Sequence, residues 1–333
     1  GELRLAGNTF HSDGYENGFI MKIDSLGELL WFNALTTNQS YRTRLKVMQM
    51  DENNNIFIAG NYTKNAQLNG TELPDSEGES TFVARLNDDA SVAMSTILDI
   101  SSVNDLSVSD NNGIYITSED GKIIRINSEG TVQSENNFPD ELKELEVECY
   151  EDDYILSGKL TGHIQIGEFL LEPRNETVFT GRFNADHSCE WAIYPSAQGI
   201  NNMDNPHLHT DNVGGIYMSG YADGIFTFGE GYSIVYKSFV AKCTPEGEYQ
   251  WAIPMDNSGF TESVTISASI SDKVYALVNN KLKVSNLNGE LIDSLTLSDN
   301  MKRVLAGNNG NYWLTNSDEE KLTLKSYTNE MEN

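Results

Sequence analysis

The chain has 333 residues, 38% hydrophobic and 10% aromatic, with 22 Lys and Arg against 50 Asp and Glu and a formal charge of −28. A body this acidic repels phosphate backbones and anionic lipid surfaces, which argues against nucleic acid and membrane surfaces as partners. Neutral ligands, cationic partners and divalent ions remain open.

No apolar run approaches the roughly 20 residues that a spanning helix needs. The three cysteines, Cys149, Cys189 and Cys243, contain no CxxC and are odd in number. They make neither a disulfide framework nor a zinc ribbon, so they do not fix the compartment.

Taken in chain order, the first strand is LRLAG (3–7), followed by GFIMKIDSLGELLWFNAL (18–35), which reads as strand, turn, strand. Next come RLKVMQM, the polar turn DENNN, IFIAG and FVARLNDDASV (82–92). The third group is DNNG, IYITS and KIIRINSEGTV (122–132), and the fourth is LKELEVE, EDD, YILSG and VFTGRFNADHSCEWA (178–192). The fifth is DNVGG, IYMSG and SFVAKCTPEGEYQWA (238–252). The sixth is SVTISAS, VYALV and KLKVSNLNGEL (281–291), and the seventh is YWLTN and KLTLKSYTNE (321–330). β-Branched and aromatic runs bounded by Asn, Asp and Gly are strands joined by tight turns.

Each group reads as strand A, turn, strand B, loop, strand C, turn, strand D, over about 40–60 residues, the period of a β-propeller blade. One blade cannot bury both of its faces, so blades must stack. Seven B–C pairs predict an all-β, seven-bladed β-propeller of four-stranded antiparallel blades, occupying 1–333 as one domain. The count leaves the first blade without strand A and the last without strand D. The expectation is that a preceding N-terminal segment closes the ring.

One position in the refrain is read as cationic each time: Lys22, Arg85, Arg125, Arg182, Lys242, Lys283 and Lys325. A tryptophan follows nine residues later as Trp31, Trp191 and Trp251. The cation is expected to meet a carboxylate of the A–B turn and so to hold the hairpin; a charged docking ring is the alternative. FIMKIDSLGELLW, FVAKCTPEGEYQWA and IYMSGYADGIFTFGEGYSIVYKSFVAK resemble the bacterial SBBP-type β-propeller repeat. The resemblance implies an extracytoplasmic setting, whether periplasmic, secreted or lipid-anchored at the surface of a Bacteroidetes-type cell, and a scaffold without an assigned reaction. The D-x-x-G-x-x-x-W core is also similar to the tryptophan-docking repeats of quinoprotein and outer-membrane-assembly propellers. The adjacent cysteine pair that accompanies quinone cofactors there is missing here.

HLHTD holds His207, His209 and Asp211 at alternate positions, which share one side of a strand. Polar channel lining is the expected reading, with Asp211 starting the A–B turn and pointing elsewhere; two imidazoles and a carboxylate binding zinc or a similar divalent metal are the alternative. No other cofactor is implied. DENNN has the first oxygen-bearing positions of a calcium loop but lacks its sixth-position Gly and twelfth-position Glu, so turn chemistry explains it better. HExxH, GxSxG, P-loop and GxGxxG are all missing from the sequence.

The D–A loops are rich in Asn and aromatic residues. They supply the candidate ligand-binding residues Tyr41, Arg42, Arg44, Asn104, Asn201, Asn202, Asp204, His207, Phe260 and Glu262. Amides hydrogen-bond hydroxyls and aromatic rings stack on sugars or peptides. Insertions between strands B and C (LNGTELP, IGEFLLEP, FGEGYSIVY) are expected to add wall to the same face. The leading functional expectation is non-catalytic recognition of a glycan or protein partner by a monomer. A glycan lyase or hydrolase using channel residues and an assembly scaffold are the alternatives.

Overall fold

The structure, a computed structural model, describes residues 2–5, 8–11, 17–24, 28–37, 42–51, 53–74, 78–109, 113–211, 214–255, 264–268, 272–278, 280–297, 301–307, 312–317 and 322–327. Every regular element among them is a strand, and the chain is a seven-bladed β-propeller of antiparallel blades. It divides into two compact units, Gly1–Asp140 and Glu141–Asn333.

The first unit holds blades one to three. Glu2–Leu5, expected as strand B of blade one, pairs with Asn8–His11 in a hairpin of its own, and Gly18–Ile23 pairs with Leu29–Thr36 as strands C and D. Blade two is Thr43–Met50, Ile56–Tyr62, Ser80–Leu86 and Val92–Leu98, in spatial order A to D. Blade three is Val103–Val108, Ile114–Ser118, Lys122–Ile126 and Val132–Asn137.

The second unit holds the rest. Blade four is Leu142–Tyr150, Asp153–Leu160, Thr177–Phe183 and Cys189–Ile193. Blade five is Ser196–Thr210, Ile216–Phe228, Tyr232–Cys243 and Tyr249–Pro254, and blade six is Thr265–Ala268, Lys273–Val278, Lys281–Asn286 and Leu291–Thr296. Blade seven shows Arg303–Ala306, Tyr312–Ser317 and Leu322–Tyr327 among the described residues.

Strand B explains why the blades stack. All seven residues of Ile56–Tyr62 are buried. Ile56 and Ile58 pack with Ile20 and Leu35 of blade one, while Phe57 and Ala59 pack with Val103 and Ile116 of blade three. Alternate side chains face opposite sides of a strand, so a run apolar at every position serves two neighbours at once. The second unit repeats the arrangement: Tyr217 faces blade six while Ile216 and Met218 pack with Ile155 and Val178 of blade four.

The glycine within strand B has a steric cause. A Cβ on Gly60 would lie 1.9 Å from the Arg44 carbonyl oxygen, where strand A bulges between Leu45 and Val47. Gly158 is similarly placed, 2.8 Å from the Lys143 carbonyl oxygen and opposite a bulge between Lys143 and Glu146. Without a side chain, strand B lets the bulged backbone approach.

The B–C insertions are ordered strands. Their alternate residues Ala66 and Leu68, Ile164 and Ile166, and Phe226 and Phe228 are all buried. In blade two the insertion reaches strand D of blade one, pairing Leu68 with Leu35. In blade five it prolongs strands B and C, pairing Thr227 with Ser196.

Candidate functional site

The cations were expected at one register, and the ladder shows five that share it. Strand D bulges opposite the step just after Lys22, Arg85, Arg125, Arg182 and Lys242 of strand C, but in blade six it bulges opposite the step after Val284. Lys283 is therefore one residue out of step and on the other side of its strand, where its Nζ donates to the Pro254 carbonyl at 3.0 Å. Lys325 is displaced likewise: it pairs with Leu314, while Ser326 sits opposite Trp313, the counterpart of Tyr275 opposite Val284. A one-residue slip along a strand reverses the side a side chain faces, which corrects the reading of Lys283 and Lys325 as members of the series.

Among the described residues, cation and A–B turn carboxylate meet in two blades. Arg182 binds Asp153 at 2.7 Å and lies over the Tyr150 ring, and buried Lys242 lies 4.0 Å from Asp211 and over the Tyr217 ring. Lys22 instead binds Asp88 in the C–D turn of blade two, and Arg125 lies over the Tyr115 ring. Arg85 Nε is buried without a hydrogen-bond partner.

Each repeated tryptophan docks on the next blade. The indole nitrogens of Trp31, Trp191 and Trp251 donate to the carbonyls of Asp88, Pro245 and Leu287, at 3.0, 2.8 and 2.9 Å. These carbonyls are each the second residue of a C–D turn. The fourth residue of the same turns, Ala90, Gly247 and Gly289, has positive φ.

Neighbouring strands A are joined by acceptor side chains that take the backbone N–H of the next strand. Gln49 accepts from Val108, Glu146 from Leu208 and Ser267 from Ala306, at 2.7, 2.6 and 3.0 Å. The same Glu146 carboxylate holds His207 Nδ1 at 2.6 Å, and Glu148 lies 3.6 Å from His209 Nδ1. Burial lowers the affinity of His207 for a proton, but the hydrogen bond and charge of Glu146 outweigh it, and the pKa rises above the ordinary histidine value.

Asp211 turns away from both histidines. It accepts from Gly215 N and the Tyr217 hydroxyl at 2.7 Å each, inside the A–B turn. The set His207, His209, Asp211 does not converge, and no group of three or more His, Cys, Asp or Glu among the described residues is arranged to hold a metal. Asp211 thus lies in the A–B turn, and His207 and His209 face Glu146 and Glu148 of blade four as an interblade clasp. Asp51 of DENNN likewise accepts from Asn53 N and Asn55 N as turn chemistry, at 2.9 and 2.8 Å.

The candidate ligand-binding residues are dispersed. Arg42 joins strand A to the start of the B–C loop through Thr63, at 3.0 Å from its amide. Arg44 is exposed on strand A of blade two, and Asn104 is half-buried on strand A of blade three. Asn202 is exposed on strand A of blade five. Asn201 and Asp204 lie on that strand with side chains outside the described set, and Tyr41, Phe260 and Glu262 lie outside the described residues.

One opening lies where no candidate was placed. An open groove of about 490 Å³ runs between the insertions of blades four and five. Its walls are Glu168 to Leu171 on one side and Thr227 and Gly229 on the other, with Ala192 to Tyr194 of strand D and its exit and Tyr249 completing it. Leu170 is 60% exposed. Tyr249 packs edge-on against Phe228, its hydroxyl buried without a hydrogen-bond partner, and burial with Cys243 nearby holds it well above the ordinary phenol pKa. The alternating apolar residues of IQIG and FTFG were the sequence signal for these ordered walls.

No family model and no curated protein matches the chain. Among solved structures, a chain of the mitotic checkpoint complex aligns with TM-score 0.51 at 10% identity, covering 85% of this chain and 79% of that one. The extracellular domain of a putative one-component system from B. thetaiotaomicron aligns with TM-score 0.48 at 12% identity, covering 87% of this chain and 32% of that one. A protein of unknown function from Bacteroides caccae aligns with TM-score 0.45 at 9% identity, covering 70% and 78%. These likenesses are of fold.

Proposed function

We propose that the chain is a non-catalytic binding propeller that recognises a glycan or protein partner on the face carrying its D–A links and B–C insertions. The observation that carries this reading is the open groove between the insertions of blades four and five. Two half-buried tyrosines, Tyr194 and Tyr249, and the exposed Leu170 give it apolar surface beside Ser196, Thr227 and Glu168. Ligand sites commonly combine an apolar lining with a few polar groups that fix orientation. The inner-strand histidines are already engaged by Glu146 and Glu148, which favours recognition over chemistry at those residues. The resemblance to SBBP-type repeats supports an extracytoplasmic setting for a monomeric binder.

The test exposes the purified chain to a glycan array and to a linear-peptide display library, each repeated with Tyr194→Ala and Asn202→Ala. A specific hit abolished by Tyr194→Ala supports the groove, whereas one sensitive only to Asn202→Ala moves the site to strand A. Hits from neither collection contradict the recognition reading.

A further inference from the structure

We infer that the occupant of this groove is an extended polypeptide segment that adds as a strand and presents an apolar side chain between basic ones. The inference rests on the recognition reading above and specifies its ligand.

Two strand edges line the groove. Phe169–Leu171 pairs only with Ile164–Ile166, and Cys189–Ile193 pairs only with Thr177–Phe183, among the described residues. The two pack against each other without forming a ladder. Each therefore keeps one row of backbone N–H and C=O groups without a strand partner, and both contribute residues to the same opening. Unpaired edges of this kind are templates for strand addition, with main-chain hydrogen bonds giving affinity and alternate side chains giving specificity. The regular spacing of such rows matches the alternating N–H and C=O groups of an extended peptide. The chain itself shows the mode, since the blade-two insertion adds to strand D of blade one through Leu68 opposite Leu35, and Leu68 is completely buried there.

Charge complementarity sets the rest of the occupant. Glu168 is the sole charged lining residue, and exposed Glu230 and Glu248 stand beside the lining residues Gly229 and Tyr249 in sequence. No Lys or Arg lines the groove. A basic segment relieves this repulsion and an acidic one compounds it. Leu170 supplies the apolar contact for the central side chain.

The experiment selects a linear-peptide display library on the purified full chain and measures the enriched peptide by fluorescence polarisation. Enrichment of basic–apolar alternation is expected. Loss of one main-chain hydrogen bond through a single N-methyl group in the peptide should weaken binding roughly tenfold. Leu170→Asp, at an exposed position, and Glu168→Lys should each weaken it, and added salt should too. Acidic or unpatterned peptides, or binding indifferent to N-methylation and to both variants, overturn the inference. If the glycan array instead gives a hit that Tyr194→Ala abolishes while the library gives none, the peptide inference fails and the recognition reading stands. If both collections are silent, both fail. Concentration-dependent self-association that Leu170→Asp abolishes would identify a second copy as the occupant and also overturn the inference.

Discussion

The indole Nε1 of Trp191, on strand D of blade four, donates to the carbonyl of Pro245 in the C–D turn of blade five at 2.8 Å. The same ring lies where a Cβ on Gly247 would be, 2.7 Å from the ring carbon Cδ2. Gly247 has φ +84°, so the turn needs a left-handed residue and the ring needs one without a side chain. Trp251 and Gly289 repeat the pair, with the corresponding distance at 2.8 Å and φ +80°. The D-x-x-G-x-x-x-W spacing thus records contacts between successive blades.

Gly247→Ala is predicted to destabilise the chain by about 1–3 kcal/mol, from the left-handed backbone and the displaced indole together. Gly231→Ala, which meets nothing within 4 Å, is the control and should lie within about 0.5 kcal/mol of wild type. Urea denaturation of the two variants checks the difference.

The register of the cations separates two lysines. Lys242 is buried with Asp211 and Tyr217, whereas Lys283 is half-buried and donates to the Pro254 carbonyl. Lys242→Met leaves the Asp211 carboxylate buried without its counter-ion and should cost about 3 kcal/mol. Lys283→Met should cost under about 1 kcal/mol. Equal losses would mean that the two positions are equivalent after all.

Much of the fold was legible because the turns repeat a chemistry. Asn87, Asn127, Asn184, Thr244 and Asn286 each open a C–D turn whose fourth residue has positive φ. That turn is a better ruler than the cation, since counting two residues back from Asn286 lands on Val284 and exposes Lys283 as displaced. The groove was not legible. Its walls bring together residues from an insertion, a strand D edge and a D–A link that are far apart in sequence, and Leu170, Tyr194 and Tyr249 carry no motif. The His207–His209 spacing was read correctly as one side of a strand, but its partners, Glu146 and Glu148, lie about 60 residues away on the neighbouring blade.

His207 gives a pH prediction. Its folded pKa is raised, so its contribution to stability is fully present below the unfolded histidine value of about 6.5 and is lost as pH rises through the folded value. The urea midpoint of wild type minus that of His207→Gln should be largest near pH 5–6 and shrink above it. A difference that grows with pH would contradict the Glu146 clasp.

Cys189 and Cys243 are pushed up to about 12, each chiefly by burial. Thiolate is the reactive form, so both should resist iodoacetamide at pH 8 in the folded chain and react once urea unfolds it. Peptide mapping by mass spectrometry reads the outcome site by site.

The most direct measurement is the dissociation constant of the best ligand from either collection, for wild type and for Tyr194→Ala. Recognition in the groove between blades four and five predicts a loss of tenfold or more, roughly the worth of one stacked aromatic contact. An unchanged constant, with the variant folded, would place recognition elsewhere and contradict the account.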